Sequence, residues 1–443
     1  MKLVDCWVLT TAGVIAMTRL DRLIKELCPD GVEYRIIGEI GEIVRGNGLT
    51  KSDLIDSGVG CIHYGQIYTY YNYSTISTKS FVSEKLAATL RKVYPGDIII
   101  AVTSENVEDV GKAVAWLGTD YIVTGGHTAI LRHNQDSKYM AYFLQTEDFF
   151  RQKRKIAHGT KVIEITPSKL LDIKIPLPPL PVQREIVRIL DNFTELTAEL
   201  TAELTARKKQ YEYYRDQLIE CEGKENVRRL PLGEVGTIER GRRFTIKDFV
   251  DSGLCCIHYG EIYTHYGLFA KHTRSHVSLA MRASLRMAQT GDLIVAGTGE
   301  NAEEICKAVA WLGTEEVAVH DDCYIFRHMM NPKYASYLFA SSTFNTQKVK
   351  YAAGGKMTRV SAENLAKIVV PVPSLEEQER IVSILDRFDA LTTDISNGLP
   401  AEIAARKKQY EHYRDKLLSF PEKQDTANVT THFVGAPLAA PST

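Results

Sequence analysis

The chain has 443 residues, enough for two to four domains and more than one core. Its 44% hydrophobic and 25% charged content is that of a globular chain, not a fibrous or disordered one. With a net charge of −1, any polyanion site must come from local clusters. The eight cysteines include no CxxC and so no zinc-type spacing; reduced cytoplasmic thiols are expected. No apolar run reaches the ~18 residues a membrane helix needs.

In chain order, MKLVDCWVLTTAGVIA is mildly apolar but lacks the basic start of a signal peptide. Amphipathic text begins at Met17, which is expected to be the biological start. Then the chain repeats itself. CIHYGQIYTYY at Cys61 returns as CIHYGEIYTHY at Cys256, and KAVAWLGT at Lys112 returns at Lys307, both 195 positions later. The register holds from Gly38–Phe193 onto Gly233–Phe388 without a gap. The repeat organises the chain into a globular unit (17–177), a long helix (178–222), a second unit (223–372), a second long helix (373–420) and a polar, disordered tail (421–443). Within each unit, short β-branched runs such as GDIIIAVTS and GDLIVAGTG alternate with turns and short helical patterns, an α+β composition. Each unit ends in a strand running into prolines, IKIPLPPLP and IVVPVPS, which stop the strand and start the helix.

The helices carry a narrow apolar seam. In the first it runs through Ile186, Ile189, Phe193, Leu196, Leu200, Leu204, Tyr211 and Tyr214. In the second it runs through Ile381, Ile384, Phe388, Leu391, Ile395, Leu399, Ile403, Tyr410, Tyr413 and Leu417. Steps of three, four and seven draw one helical face, and about forty residues make a rod of roughly 60 Å. Two matched seams are expected to bury each other as an antiparallel coiled coil. Asn397-Gly398-Leu399-Pro400 should divide the second rod into two segments.

Enzyme motifs are missing. Gly354-Gly355-Lys356 lacks the upstream glycine and strand-loop-helix context of a phosphate loop, and Asn331-Pro332-Lys333-Tyr334 only echoes a methyltransferase loop. His63 and His258 have no nucleophile, third group or metal set repeated beside them. What repeats is basic charge among polar and aromatic groups. The first unit has Arg45 with Asn47, then Lys153, Arg154, Lys155, His158 and Lys161; the second has Arg240, Arg242, Arg243, Lys348, Lys350, Lys356 and Arg359. Such side chains beside glycines suit phosphate contacts.

PLPPLPVQREIVRILDNF, the TAEL tetrapeptides at 197–200 and 201–204, ARKKQYEYYRDQL, GLPAEIAARKKQYEHYRDKLL and the tandem layout closely resemble the specificity subunits of type I restriction-modification enzymes. The resemblance covers residues 17–420. It implies two target recognition domains separated by long helices that pair as an antiparallel coiled coil, each domain reading half of a split DNA target. It implies no catalysis and no cofactor in this chain. Modification subunits, two of them, would bring S-adenosylmethionine and methylate adenine, and restriction subunits would add an ATP- and magnesium-dependent nuclease. The reading from a different class is a coiled-coil scaffold binding only protein, which leaves the duplicated basic clusters idle.

Residues identical in both repeats cannot make two half-sites differ, so His63, Tyr64 and Tyr68, with His258, Tyr259 and Tyr263, are expected to build the fold or grip phosphate. Gln66 against Glu261 is a candidate base-reading pair, because Gln suits adenine and Glu accepts from cytosine N4. Asn47-Gly48 against Arg242-Arg243, and 158–161 against 353–356, are two more. The half-sites are expected to be similar but not identical. A TAEL tetrapeptide adds ~6 Å of helix against ~3.4 Å per base pair. Inserting or deleting one should therefore change the spacer by one or two base pairs and leave the half-sites alone, as read by mapping methylated adenines. An unchanged spacer would sink this ruler.

Overall fold

The structure, a computed structural model, describes residues 11–221, 223, 227–354, 357–393 and 398–423, with side chains from residue 19 onward except Thr393. The chain divides into two units, Met1–Glu199 with Ala404–Thr443, and Leu200–Ile403.

In the first unit the GDIIIAVTS run becomes the strand Ile98–Ala101, buried throughout. It pairs antiparallel with Thr128–His133 and Ala113–Trp116; Gly41–Arg45 and Ser74–Thr75 complete five strands. A four-stranded sheet runs Ser80–Val82, Val59–Ile62, Ile122–Thr124, Arg91–Val93. Successive side chains of a strand face opposite ways. Ile98 and Ile100 therefore enter one core with Leu131 and Ile175, while Ile99 and Ala101 enter another with Trp116 and Ile130. Burial on both faces is why the run reads as continuously apolar. The second unit repeats this with Leu293 and Val295 in one core and Ile294 and Ala296 in another.

The strands Lys174–Leu177 and Val369–Val372 run into the helices Leu180–Glu220 and Leu375–Thr393. A buried glutamine marks each start. Gln183 donates to the Pro178 carbonyl (2.8 Å) and accepts from the Asp136 N–H (3.1 Å); Gln378 does the same with Pro373 (2.9 Å) and Asn331 (2.7 Å). Asn331 also caps the helix Pro332–Ala340 by accepting from the N–H groups of Lys333 and Tyr334. The apparent methyltransferase echo is thus a helix cap with proline at its first position.

Two turns on, Asp191 accepts from the Tyr142 phenol (2.7 Å) and the Lys138 ammonium (2.8 Å). Asp386 accepts from Tyr337 (2.8 Å) and Lys333 (2.6 Å). Burial first, and then the hydrogen bond to Asp191, push the Tyr142 phenol far up, so it remains a donor.

The seams of the long helices meet as expected, and the domains share in covering them. Ile186, Ile189 and Phe193 lie in the first unit's core beside Met140 and Phe143, with Tyr410 and Leu417 from the last helix. Phe193 stacks on Tyr413 at 5.8 Å. In the second unit Tyr211 and Ile381 join the core, Ile384 and Phe388 are half-buried, and Tyr214 stacks on Phe388 at 6.0 Å. Leu196, Leu200 and Leu204 are only half-buried, and Tyr214 and Leu391 are 40% exposed. The domain cores claim the seam where they meet it, while Tyr214 packs its ring on Phe388 and stays partly exposed. The last helices are Leu375–Thr393 and Leu399–Leu417, and residues 394–397, with Ile395, lie outside the described residues.

The tail assignment also needs correction at its start. Residues 421–423 pair with Val32, whose N–H donates to Pro421 (2.9 Å) and whose carbonyl accepts from Lys423 (2.9 Å). Gly31 permits this approach, having a φ of +96° and the Pro421 oxygen 2.4 Å from where a Cβ would stand. Residues 424–443 lie outside the described residues.

Replacing Asp191 with alanine leaves a phenol and an ammonium without their acceptor. It should lower stability by about 2 kcal/mol, seen as a lower urea midpoint, whereas Glu212→Ala, exposed on the same helix, should leave the midpoint unchanged.

Candidate nucleic-acid interface

In both units a strand end, a short helix, a β-turn and a hairpin converge. His63 opens the helix Tyr64–Thr69. Its Nδ1 accepts from the Gly65 N–H (3.2 Å), while Gln66 Oε1 accepts from the His63 N–H (3.1 Å). His258 and Glu261 repeat this reciprocal cap on Tyr259–Thr264. Burial, and then the neighbouring His127 or His320, hold both cap histidines below the usual imidazole range. That keeps the neutral ring with its acceptor nitrogen.

Gln66 Nε2 donates to the Ser80 hydroxyl (2.7 Å), and Glu261 Oε1 accepts from the Ser275 hydroxyl (2.6 Å). The Gln/Glu difference is therefore an exchange of capping residues with the serine proton turned round, which corrects the base-reading assignment. Asn47 is corrected too. Its amide donates to the Thr89 carbonyl (2.9 Å) and accepts from the Arg91 N–H (2.7 Å), so it braces a loop. Lys153 and Lys348 are buried, 4% and 3% exposed. Each donates to two carbonyls, of Glu108 and Val110 or of Glu303 and Ile305. Burial pulls Lys153 down to about 8. Neither lysine reaches a ligand, because a buried ammonium must spend its donors inside the protein.

Beside the caps, the Tyr68 hydroxyl donates to the Thr103 carbonyl (2.7 Å), and Tyr263 to Thr298 (2.9 Å). Tyr64 packs on His127 at 4.7 Å and Tyr259 on His320 at 5.5 Å. Arg45 donates to Glu164 (2.8 Å) and to the Gly126 carbonyl (3.1 Å). Arg240 donates to the Asp321 carbonyl (2.6 Å), with Arg359 near Asp322 (3.9 Å). A cavity of about 160 Å³ lies there, lined by Arg240, Thr298, Asp321, Asp322 and Arg359 among others. His320, Asp321 and Asp322 bring ligand-type atoms within 4.8 Å of one another. Arg240 and Arg359 already approach both carboxylates, so guanidinium balances the charge there.

The remaining basic candidates are exposed. Arg154, Lys155, His158 and Lys161 surround the hairpin Ala157–His158 and Ile163–Ile165, while Arg242, Arg243 and Lys350 occupy the second unit. Lys356 lies outside the described residues. Thr103, His127 and Glu164, with Thr298 and 320–322, are members of the constellation that motif reading missed. Their signal was available as differences between aligned repeats: GGH at 125–127 against HDD at 320–322, and Glu164 against Arg359.

The family model described as the type I restriction modification DNA specificity domain matches residues 29–207 and again 224–405. A putative type I restriction enzyme specificity subunit of Haemophilus influenzae is 29% identical over 350 residues, 74% of this chain and 84% of that protein. A type I restriction enzyme specificity subunit of Escherichia coli is 32% identical over 350 residues, 72% of this chain and 81% of that protein. A solved chain, described under complex assembly and conformational transition of the type I R-M system, aligns with a TM-score of 0.61. It covers 88% of this chain and 98% of that one at 16% identity, a likeness of fold.

Lys153→Ala strips the donors from two carbonyls and should cost about 2–4 kcal/mol of stability. Lys155→Ala, two residues away and exposed, should change the denaturation midpoint by less than about 0.5 kcal/mol.

Proposed function

Because this chain belongs to the type I restriction modification DNA specificity family, we propose that it selects the DNA on which a larger enzyme acts, each unit reading one part of a bipartite target. The chain supplies recognition and docking. Methyl transfer to adenine belongs to two modification subunits that bind S-adenosylmethionine, and ATP- and magnesium-dependent cleavage belongs to restriction subunits. This chain needs no cofactor of its own, and it acts in the cytoplasm with the DNA. Among the described residues no helix is long and apolar enough to cross a membrane.

One observation carries the reading. The two units hold the same constellation of arginine, helix tyrosine and threonine on the same backbone frame, with different side chains around it. A constant frame with changed side chains is what two readers of related but unequal sequences require. A scaffold that binds only protein has no use for it.

The test is a gel shift with the chain assembled on its modification subunits. One bipartite duplex should bind at least about a thousandfold tighter than unrelated DNA; equal binding of all duplexes would favour the scaffold. Lys155→Ala should weaken specific and unrelated DNA alike and make the slope of log affinity against log salt shallower by about one, leaving sequence preference intact.

A further inference from the structure

Thr103 and Thr298 occupy equivalent positions, and each is the hub of the same three-way contact. Thr103 is the strand partner of residue 164 and its hydroxyl meets the His127 ring (2.9 Å). Thr298 is the strand partner of residue 359 and its hydroxyl donates to the Asp322 carboxylate (3.2 Å). Around this constant hub the polarity is reversed. The first unit has an acid on the hairpin, Glu164, and an imidazole on the turn, His127. The second has a base on the hairpin, Arg359, and an acid on the turn, Asp322. A third change accompanies them, Gly126 against Asp321, which gives Arg240 a carboxylate at 3.7 Å where Arg45 has Glu164.

These changes compensate one another. Counting arginines and carboxylates, one arginine meets one acid in the first unit, and two arginines meet two acids in the second. A phosphate grip would be net positive, and neither hub is. The hairpin members are accessible all the same, with side chains 36% exposed at Glu164 and 67% at Arg359. His127 is exposed as well, and Asp322 lies partly open to the cavity.

We infer that the hairpin and turn positions around this threonine, 164 with 127 and 359 with 322, are the pair that makes the two half-sites differ. Resting on the DNA-recognition reading, the chemistry is specific. A carboxylate at 164 accepts from a base amino group, cytosine N4 or adenine N6, whereas a guanidinium at 359 donates to guanine O6 and N7. Asp322, beside Arg359, then accepts from the amino group of the guanine's paired cytosine, and His127, beside Glu164, donates to an acceptor. Reversing donor and acceptor at two adjacent points is what exchanging the strands of one base pair demands. At equivalent positions, then, the first half-site carries cytosine or adenine where the second carries guanine.

The test uses the full chain assembled with its modification subunits and selection from a duplex pool randomised in both half-sites. The triple variant Gly126→Asp, His127→Asp, Glu164→Arg transplants the second hub while keeping charge balanced. A Cβ at position 126 meets nothing closer than 3.8 Å, so the turn has room. Its selected sequence should change at one position of the first half-site, toward guanine, by about tenfold or more, with the second half-site and spacer unchanged. Glu164→Gln, isosteric and uncharged, should lose discrimination severalfold at that same position; it decides the matter if the triple variant does not assemble. Parental selection by an assembled triple variant, or by Glu164→Gln, overturns the inference, as does a uniform loss of affinity without a changed base. If the wild-type complex selects no bipartite sequence, the recognition reading itself falls, and the inference with it.

Discussion

Asp191 and Asp386 tie each recognition domain to a helix that begins immediately after it in sequence. Each carboxylate draws in a phenol and an ammonium from one short helix, and charged hydrogen bonds of this kind are directional as well as strong. A recognition surface has to hold its register against DNA, so the domain cannot swivel on its support. The buried glutamines at the helix starts remove another degree of freedom, because each joins the incoming proline strand to the loop that caps the short helix.

Both cores are completed by side chains remote in sequence. The first takes Ile186, Ile189 and Phe193 from one helix, Tyr410 and Leu417 from the last, and Leu418 just after it. The strand contact between Val32 and 421–423 closes the same unit, joining segments almost four hundred positions apart. In the second unit Cys221 and Val227 stand at the corresponding place in the core and its margin and belong to one continuous stretch of chain. Equivalent packing is thus reached once through covalent continuity and once through backbone hydrogen bonds.

Duplication separates structural residues from selective ones without any second protein to compare. Buried lysines, cap histidines and the tyrosines that donate to the hub threonine carbonyls recur with the same partners, which marks them as framework. Where partners change together, as around Thr103 and Thr298, the framework leaves the side chains free and function can set them.

Much of the fold was legible from the residues. The 195-residue register, the continuously apolar strands, the proline-delimited helices and the resemblance carried by their endings all lie in local pattern, and local pattern reflects short-range physics: pleat, helical turn and proline's missing donor. The site was less legible. Lys153 and Lys155 look alike in a basic run, yet helical geometry turns the first inward to two carbonyls and leaves the second in water. Gln66 and Glu261 look like readers of bases but spend their polar atoms on caps and serines. Glu164, His127 and Arg45 are scattered across more than a hundred positions and meet only because sheet register places residue 164 opposite Thr103. Repeat, element types and family follow from the order of residues alone. Which charges face solvent, and which distant side chains share one hub, was decided only by the tertiary structure, because burial and long-range pairing are properties of the packed chain.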